Sequence, residues 1–322
     1  MNRSRAWFDA VSDETGYRAD TLEKVIRLGE LAAELSRHPL LGTVLVLKGG
    51  TALNLCFGPP PRLSVDLDFN YVGAEDRDTM LEQRPLVEQA IEAVARAQKY
   101  RLQRSRAEHA GRKAYLGYTS TSGVADRIEL DLNFLHRVPL DQAFAAQLWQ
   151  PGDADQPDVM VVGMAELITG KLCAALDRAA PRDLYDVPRL PSIAGSAWQS
   201  PRLRSVFVAL AGVLDHPVHS YSAERWRRVT DRAVEEQLHL NLTAGDRPSA
   251  AELREGAWAV VEPLIDLSPA EREYTDRLQA GDLRPDLLFP NDEGLAARLA
   301  RHPALLWKAE NAKRHGSKKA ES

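Results

Sequence analysis

The chain has 322 residues, 44% of them hydrophobic and 27% charged, with a formal net charge of -5. That supply of apolar residues suits one large or two ordinary folded domains, and the acidic balance argues against a globally basic nucleic-acid binder while leaving room for a local basic groove. The two cysteines, Cys56 and Cys173, stand far apart without metal-ligand spacing, and no leader or membrane-length apolar stretch is seen, so a soluble cytoplasmic protein without membrane contact is expected.

Residues 1–40 read as helical: over 21–35, Leu22, Val25, Ile26, Leu28, Leu31 and Leu35 recur at helix spacing with charges between them. A short β-rich run, 43–47, ends at Gly49 and Gly50, and 51–57 is helix-like. Pro59, Pro60 and Pro61 then enforce an extended connection. The run 65–72 reads as a strand in which Asp66 and Asp68 share one face while Val65, Leu67 and Phe69 point to a core. Helical periodicity returns over 76–99, with Pro85 as a candidate kink. Strands are expected at 100–106, 113–120 and 127–134, the last presenting Glu129, Asp131 and Asn133 on one face. This order fits a small mixed sheet with helices on one side.

A loop rich in Pro, Gly and Asp, 150–158, marks the expected boundary, giving one domain over 1–155 and a mainly helical one over 156–312. Helices are expected there at 164–176, 182–187, 202–214, 223–238, 250–265, 269–278 and 291–300. The end, 313–322, is polar and basic without an apolar anchor and reads as disordered. The fold class is α+β.

The chemistry concentrates between residues 48 and 68. Two carboxylates side by side repel each other unless a cation neutralises them, and oxygen-only ligands at the Asp66/Asp68 spacing suit Mg²⁺ (or Mn²⁺). The Gly49-Gly50-Thr51 turn opens a helix, where exposed backbone N–H groups bind phosphate oxygens. Together they read as a nucleoside triphosphate and metal site. Lys48 and Arg62 flank it; the planar fork of Arg62 can hold two phosphate oxygens, whereas Lys48 has a local ion pair as its alternative. Ser64 reads either as a donor to the triphosphate or as a turn residue. Asp-x-Asp by itself is a weak signal and reads better as a solvated edge strand; the glycine turn upstream and Arg62-x-Ser64 before it tip the reading to a site.

The string Lys48-Gly49-Gly50-Thr51 followed by Arg62-x-Ser64-x-Asp66-x-Asp68 resembles the signature of the polymerase beta-like nucleotidyltransferases, in the form found in AbiEii/AbiGii-type toxins of bacterial toxin–antitoxin pairs. The resemblance spans roughly residues 20–190. It implies a polymerase beta-like nucleotidyltransferase domain followed by a helical domain, and a third acid at Asp131, with Glu129 in reserve. Asp66, Asp68 and Asp131 would hold the metal, and Asp131 could also accept the attacking hydroxyl's proton. Lys171, in Glu166-x-x-x-x-Lys171-x-x-Ala174-Ala175, matches the family's triphosphate lysine. Arg182-Asp183-Leu184-Tyr185-Asp186 matches its Arg-Asp-x-x-Asp motif, with Arg182 on phosphate and Asp183 orienting Lys171 or touching the nucleotide. A structural salt-bridge cluster is the competing reading of that segment. Gly170, directly before Lys171, weakens the helix and puts the lysine's register in question.

The resemblance further implies transfer of a nucleotide, CTP or another pyrimidine being the donor, to the 3′ end of tRNA, which would block translation. It also implies a cognate antitoxin and a regulatory phosphosite at Ser64, where a phosphate beside Asp66 would repel the incoming triphosphate. Two other classes stay open: transfer of a nucleotidyl or phosphoryl group to a protein or small molecule, and a nucleotide-binding regulator without turnover. The length of the helical part favours an RNA over a small acceptor.

Overall fold

The computed structural model describes residues 3–106 and 108–320, with side chains to residue 314. The chain divides into two compact units, each discontinuous in sequence.

The first unit comprises 1–137, 143–162 and 239–247. Its elements are α1 (Arg5–Thr15), α2 (Ala19–Arg37), α3 (Leu41–Val44), β1 (Leu45–Lys48), α4 (Gly49–Leu55), β2 (Asp66–Tyr71), α5 (Arg77–Ala97), β3 (Arg101–Arg104), β4 (Gly111–Thr119), β5 (Ala125–Asn133), β6 (Phe144–Gln147) and β7 (Asp158–Val161). They build one seven-stranded mixed sheet in the order β3-β4-β5-β2-β1-β7-β6. β2 runs antiparallel to β1 and parallel to β5, so these three strands form the middle of the sheet. Alternation divides the faces as expected: Leu67, Phe69 and Tyr71 of β2 and Ile128, Leu130 and Leu132 of β5 are buried. The α2 stripe, Leu22, Val25, Ile26, Leu28, Leu31 and Leu35, is buried too. α5 runs unbroken through Pro85.

β6 and β7 lie where no strand was expected. The single cut expected at 155/156 therefore falls ahead of β7, which pairs with β1 through Leu47 and Val161 and so belongs to the first unit. A late segment also returns to this unit. The Leu63 amide donates to the Asn241 carbonyl at 2.8 Å, and the Ala244 amide to that of Gly16 at 3.0 Å.

The second unit, 138–142, 163–238 and 248–322, is helical. It contains α6 (Met164–Asp177), α7 (Pro181–Asp186), α8 (Leu190–Ala194), α9 (Pro201–Ala211), α10 (Asp231–Gln237), α11 (Ala250–Ile265), α12 (Pro269–Gln279), α13 (Glu293–Ala300) and α14 (Pro303–Ala320). Leu167, Ile168, Leu172 and Leu176 of α6 are buried, and the buried Trp226 indole donates to the Ala175 carbonyl at 2.9 Å. The helix expected over 223–238 divides into a 3₁₀ turn at Ala223–Arg228 and α10, because the Thr230 hydroxyl caps the latter by accepting from the Ala233 amide. Serine capping boxes start α11 and α12.

The end of the chain departs from the expected disorder, since α14 carries the backbone on to Ala320. Its first turns are anchored by buried Ala304, Leu305 and Ala309, and extending a helix beyond a packed nucleus costs far less than starting one. The remainder of the tail, 321–322, lies outside the described residues.

Candidate active site

Register places the acids. Asp68 stands directly opposite Lys48 of β1 on one side and Asp131 of β5 on the other, while Asp66 stands opposite Glu129. Residues paired in this way project from the same sheet face. On the far side of β5, Asp131 is opposite Lys113 of β4. A row therefore crosses four strands as Lys48–Asp68–Asp131–Lys113, with two acids between two cations, and Asp66 and Glu129 fill the adjacent row. These side chains are partly exposed, apart from the more exposed Lys113, whereas the residues between them are buried.

The glycine turn abuts this row. Gly49 has a φ of 73°, in the left-handed region, and a Cβ on it would lie 2.3 Å from the Asp68 Oδ2. Only glycine lets the start of α4 approach that carboxylate so closely. Beneath the turn, the buried Thr51 hydroxyl donates to the Ser64 hydroxyl at 3.1 Å and to the Asp66 carbonyl, and the Asn54 amide donates to the Gly50 carbonyl at 3.0 Å. Arg62 is only 2% exposed; its Nη1 donates to the Leu63 carbonyl at 3.0 Å, and its Nη2 would lie 3.1 Å from a Cβ on Gly50. Arg62 and Ser64 thus form the base of the turn.

Asp131 has its pKa raised. Burial is the main cause, Lys48 opposes it, and the charge of Asp68 adds to it. Lys113 is held more firmly charged by its ion pair with Glu129. His136 is pushed down to about 4 by burial and by Lys48, which keeps the imidazole neutral beside the row. Its amide and that of Leu135 donate to the Asn133 Oδ1 at 3.1 and 2.8 Å, so the turn after β5 brings it there. Neither His136 nor Lys113 stood out in the sequence. Lys113 was within reach, because reading back from the hairpin turn at 120–124 sets 113 opposite 131.

The donor set is oxygen-only and suits a hard divalent cation. Among the described residues no three His, Cys, Asp or Glu side chains already form a metal cage. The sheet face supplies acids in register, not a preformed shell. A cleft of 1090 Å³ in the same unit lies elsewhere, lined by Arg27, Glu30, Arg37, Tyr100 and Tyr118.

The remaining expected site residues are in the second unit. Lys171, on α6, is 5% exposed, and its Nζ bonds the Asp183 Oδ1 at 2.9 Å and the Asp186 Oδ2 at 2.7 Å. Arg178 adds two bonds to Asp183, at 2.6 and 3.0 Å. Burial alone would raise the Asp183 pKa, but Lys171 and Arg178 outweigh it and hold the carboxyl well below its ordinary range. Arg182 is half-buried on α7. The structure thus brings Lys48, Gly49, Gly50, Thr51, Arg62, Ser64, Asp66, Asp68 and Asp131 together in one unit, and Lys171 and Asp183 in the other.

Comparison with known proteins identifies the family and the fold. The profile described as nucleotidyl transferase AbiEii toxin, type IV TA system, matches residues 32–258. MenT4, a nucleotidyltransferase toxin from Mycobacterium tuberculosis H37Rv, has a similar structure, with a TM-score of 0.58 at 20% identity, covering 93% of this chain and 99% of that one. No curated protein matches in sequence. No helix among the described residues is long and apolar enough to cross a membrane. Membership implies a nucleoside triphosphate substrate, an antitoxin partner and the divalent-metal chemistry general to such enzymes. The chain belongs to the AbiEii family of nucleotidyltransferase toxins, the toxin component of type IV toxin–antitoxin systems.

Proposed function

We propose that the chain transfers a nucleoside monophosphate from an NTP, CTP or another pyrimidine nucleotide, to the 3′ end of an RNA, the 3′ oxygen bonding to the α-phosphorus as pyrophosphate leaves, with tRNA as the acceptor and translation as the process it blocks. The observation that carries this reading is the row Lys48–Asp68–Asp131 set against the Gly49 turn. The backbone N–H groups opening α4 hold the triphosphate, with Lys48 and Arg62 adding positive charge near it. Asp66, Asp68 and Asp131 would hold Mg²⁺ or Mn²⁺, which neutralises the α-phosphate and acidifies the attacking hydroxyl when bound. Asp131 would also take that hydroxyl's proton.

Lys171 and Arg182 are proposed as further cations for the phosphates. An ammonium has three donors, and the bonds to Asp183 and Asp186 account for two of those on Lys171. Asp183 then orients the lysine. Ser64 is proposed as the position an antitoxin modifies, in the cytoplasm. It is 7% exposed and accepts from Thr51, so a phosphate there displaces the hydroxyl pair under the turn as well as repelling the nucleotide.

The test is incubation with each labelled NTP, Mg²⁺ and total RNA beside an Asp66→Ala control. Label on tRNA-sized species only with the intact protein supports the reading. Label on protein or on a small molecule replaces the acceptor, and no label anywhere leaves a regulator without turnover.

A further inference from the structure

The row of acids has two unlike flanks. On the β1 side lies the glycine turn. On the other side the open face continues across β5, β4 and β3, where register groups a different set of residues. Arg101 of β3, Gly117 of β4 and Arg127 of β5 form one row, and Gln103, Tyr115 and Glu129 form the next, directly beside Lys113 and Asp131. Arg101, Gln103, Lys113 and Arg127 are exposed, while the alternate residues Ala114, Leu116, Ile128 and Leu130 are buried. The Arg127 guanidinium lies over the Tyr115 ring, 4.6 Å from its centroid.

Gly117 sits between the two arginines without a conformational reason. Its φ is not positive, and a Cβ would meet only the Arg101 carbonyl oxygen at 3.5 Å and Cβ at 3.8 Å, ordinary contact distances. A side chain would fit, and glycine weakens a strand. What its absence of side chain provides is a trough between two cations, leading to the acids.

In-line transfer puts the attacking and leaving oxygens on opposite sides of the phosphorus. With the triphosphate tail on the glycine turn, the acceptor must come over β5 and β4. We propose that the open face of β3, β4 and β5 receives the single-stranded 3′ end of the acceptor RNA: a base stacks on the Tyr115–Arg127 pair, and phosphates lie in the Gly117 trough between Arg101 and Arg127. Planar aromatic and guanidinium groups stack on any base, and a positive groove follows the backbone. Lys113 is tied to Glu129 and guards the entry to Asp131. This rests on the RNA-acceptor reading above and names its docking surface.

The experiment uses the full chain and three variants, Tyr115→Ala, Arg127→Glu and Gly117→Val. Affinity for a short single-stranded RNA is measured over a salt series, with NTP affinity and thermal midpoint alongside. Tyr115→Ala weakens RNA binding about tenfold. Arg127→Glu weakens it and lowers the salt slope by about 1. Gly117→Val weakens it while keeping or raising the thermal midpoint, since valine suits a strand. NTP affinity stays unchanged in all three. Wild-type RNA affinity in all three variants, from a protein that does label RNA, overturns the docking face and leaves the acceptor class intact. Parallel loss of NTP affinity, or loss of antitoxin binding with RNA binding unaffected, also overturns it. A wild-type protein that neither binds nor labels RNA fails the acceptor reading itself.

Discussion

Two groups of charges in this chain look alike in sequence and differ in physical setting. In the first unit, Asp66, Asp68 and Asp131 share a partly exposed sheet face, like charges side by side. In the second, Lys171, Arg178, Asp183 and Asp186 form an ion cluster in which both carboxylates are at most 2% exposed and each meets a cation. Like charges packed together cost energy until something bound relieves it, which is the mark of a ligand site. A buried set that neutralises itself folds without a ligand: it holds α6 to α7 and leaves Lys171 one donor beyond its two carboxylate bonds.

The sharpest way to break this contrast is to remove one member of each group. Asp68→Asn is expected to cut nucleotidyl transfer by roughly a thousandfold or more, with a thermal midpoint equal to wild type or higher because it relieves repulsion. An intact rate shows that the row is not the reacting centre. Lys171→Met takes a cation from two buried carboxylates, Asp183 keeping its bonds to Arg178, and is expected to cost about 3 kcal/mol of stability, read by denaturant unfolding. Should stability hold, the cluster has no structural share and the contrast fails.

The pH dependence of stability sharpens it next. Glu166 accepts from the Leu140 and Asp141 amides at 3.2 and 3.1 Å and is pushed up to about 7 by burial, from an ordinary 4.5. Its folded form prefers the proton more than the unfolded form does. Stability is therefore full below the unfolded value and declines as pH rises from about 4.5 to about 7, by roughly 3 kcal/mol at most. Asp183 runs the other way: its stabilisation is present above the ordinary carboxylate value and lost as pH falls through its lowered one. Glu166→Gln is expected to flatten the first slope in urea midpoints between those two pH values, and a slope equal to wild type contradicts the assignment. Smallest of all, Ser64→Ala removes one hydroxyl pair and changes transfer by less than about tenfold, yet abolishes silencing by the antitoxin. Silencing that persists removes Ser64 from the regulation.

What the sequence disclosed was whatever lies within one strand or one turn. Alternation over Asp66–Tyr71 and over 128–134 sorted acids from core, and the glycine pair marked the turn, where Gly49 takes a positive φ, because period-two patterning and turn conformation are local properties. β6 and β7 were hidden, being four residues each and defined by their partners, one of which is β1, a hundred residues away. His136 was hidden for the same reason, since its place near Lys48 exists only once β5 and β1 both flank β2, whereas Lys113 faces Asp131 within one hairpin and could have been counted back from its turn. Lys171 was found by resemblance, and its two carboxylate partners follow from an Asp-x-x-Asp spacing on one helix face.

The return of 239–247 to the first unit has a consequence for synthesis. The Leu63 amide, one residue before Ser64 and three before Asp66, finds its acceptor on Asn241. A ribosome must therefore reach Asn241 before the loop feeding β2 can be clasped. The order of the chain thus postpones completion of the first unit, and any fragment cut at 155/156 would lack the clasp.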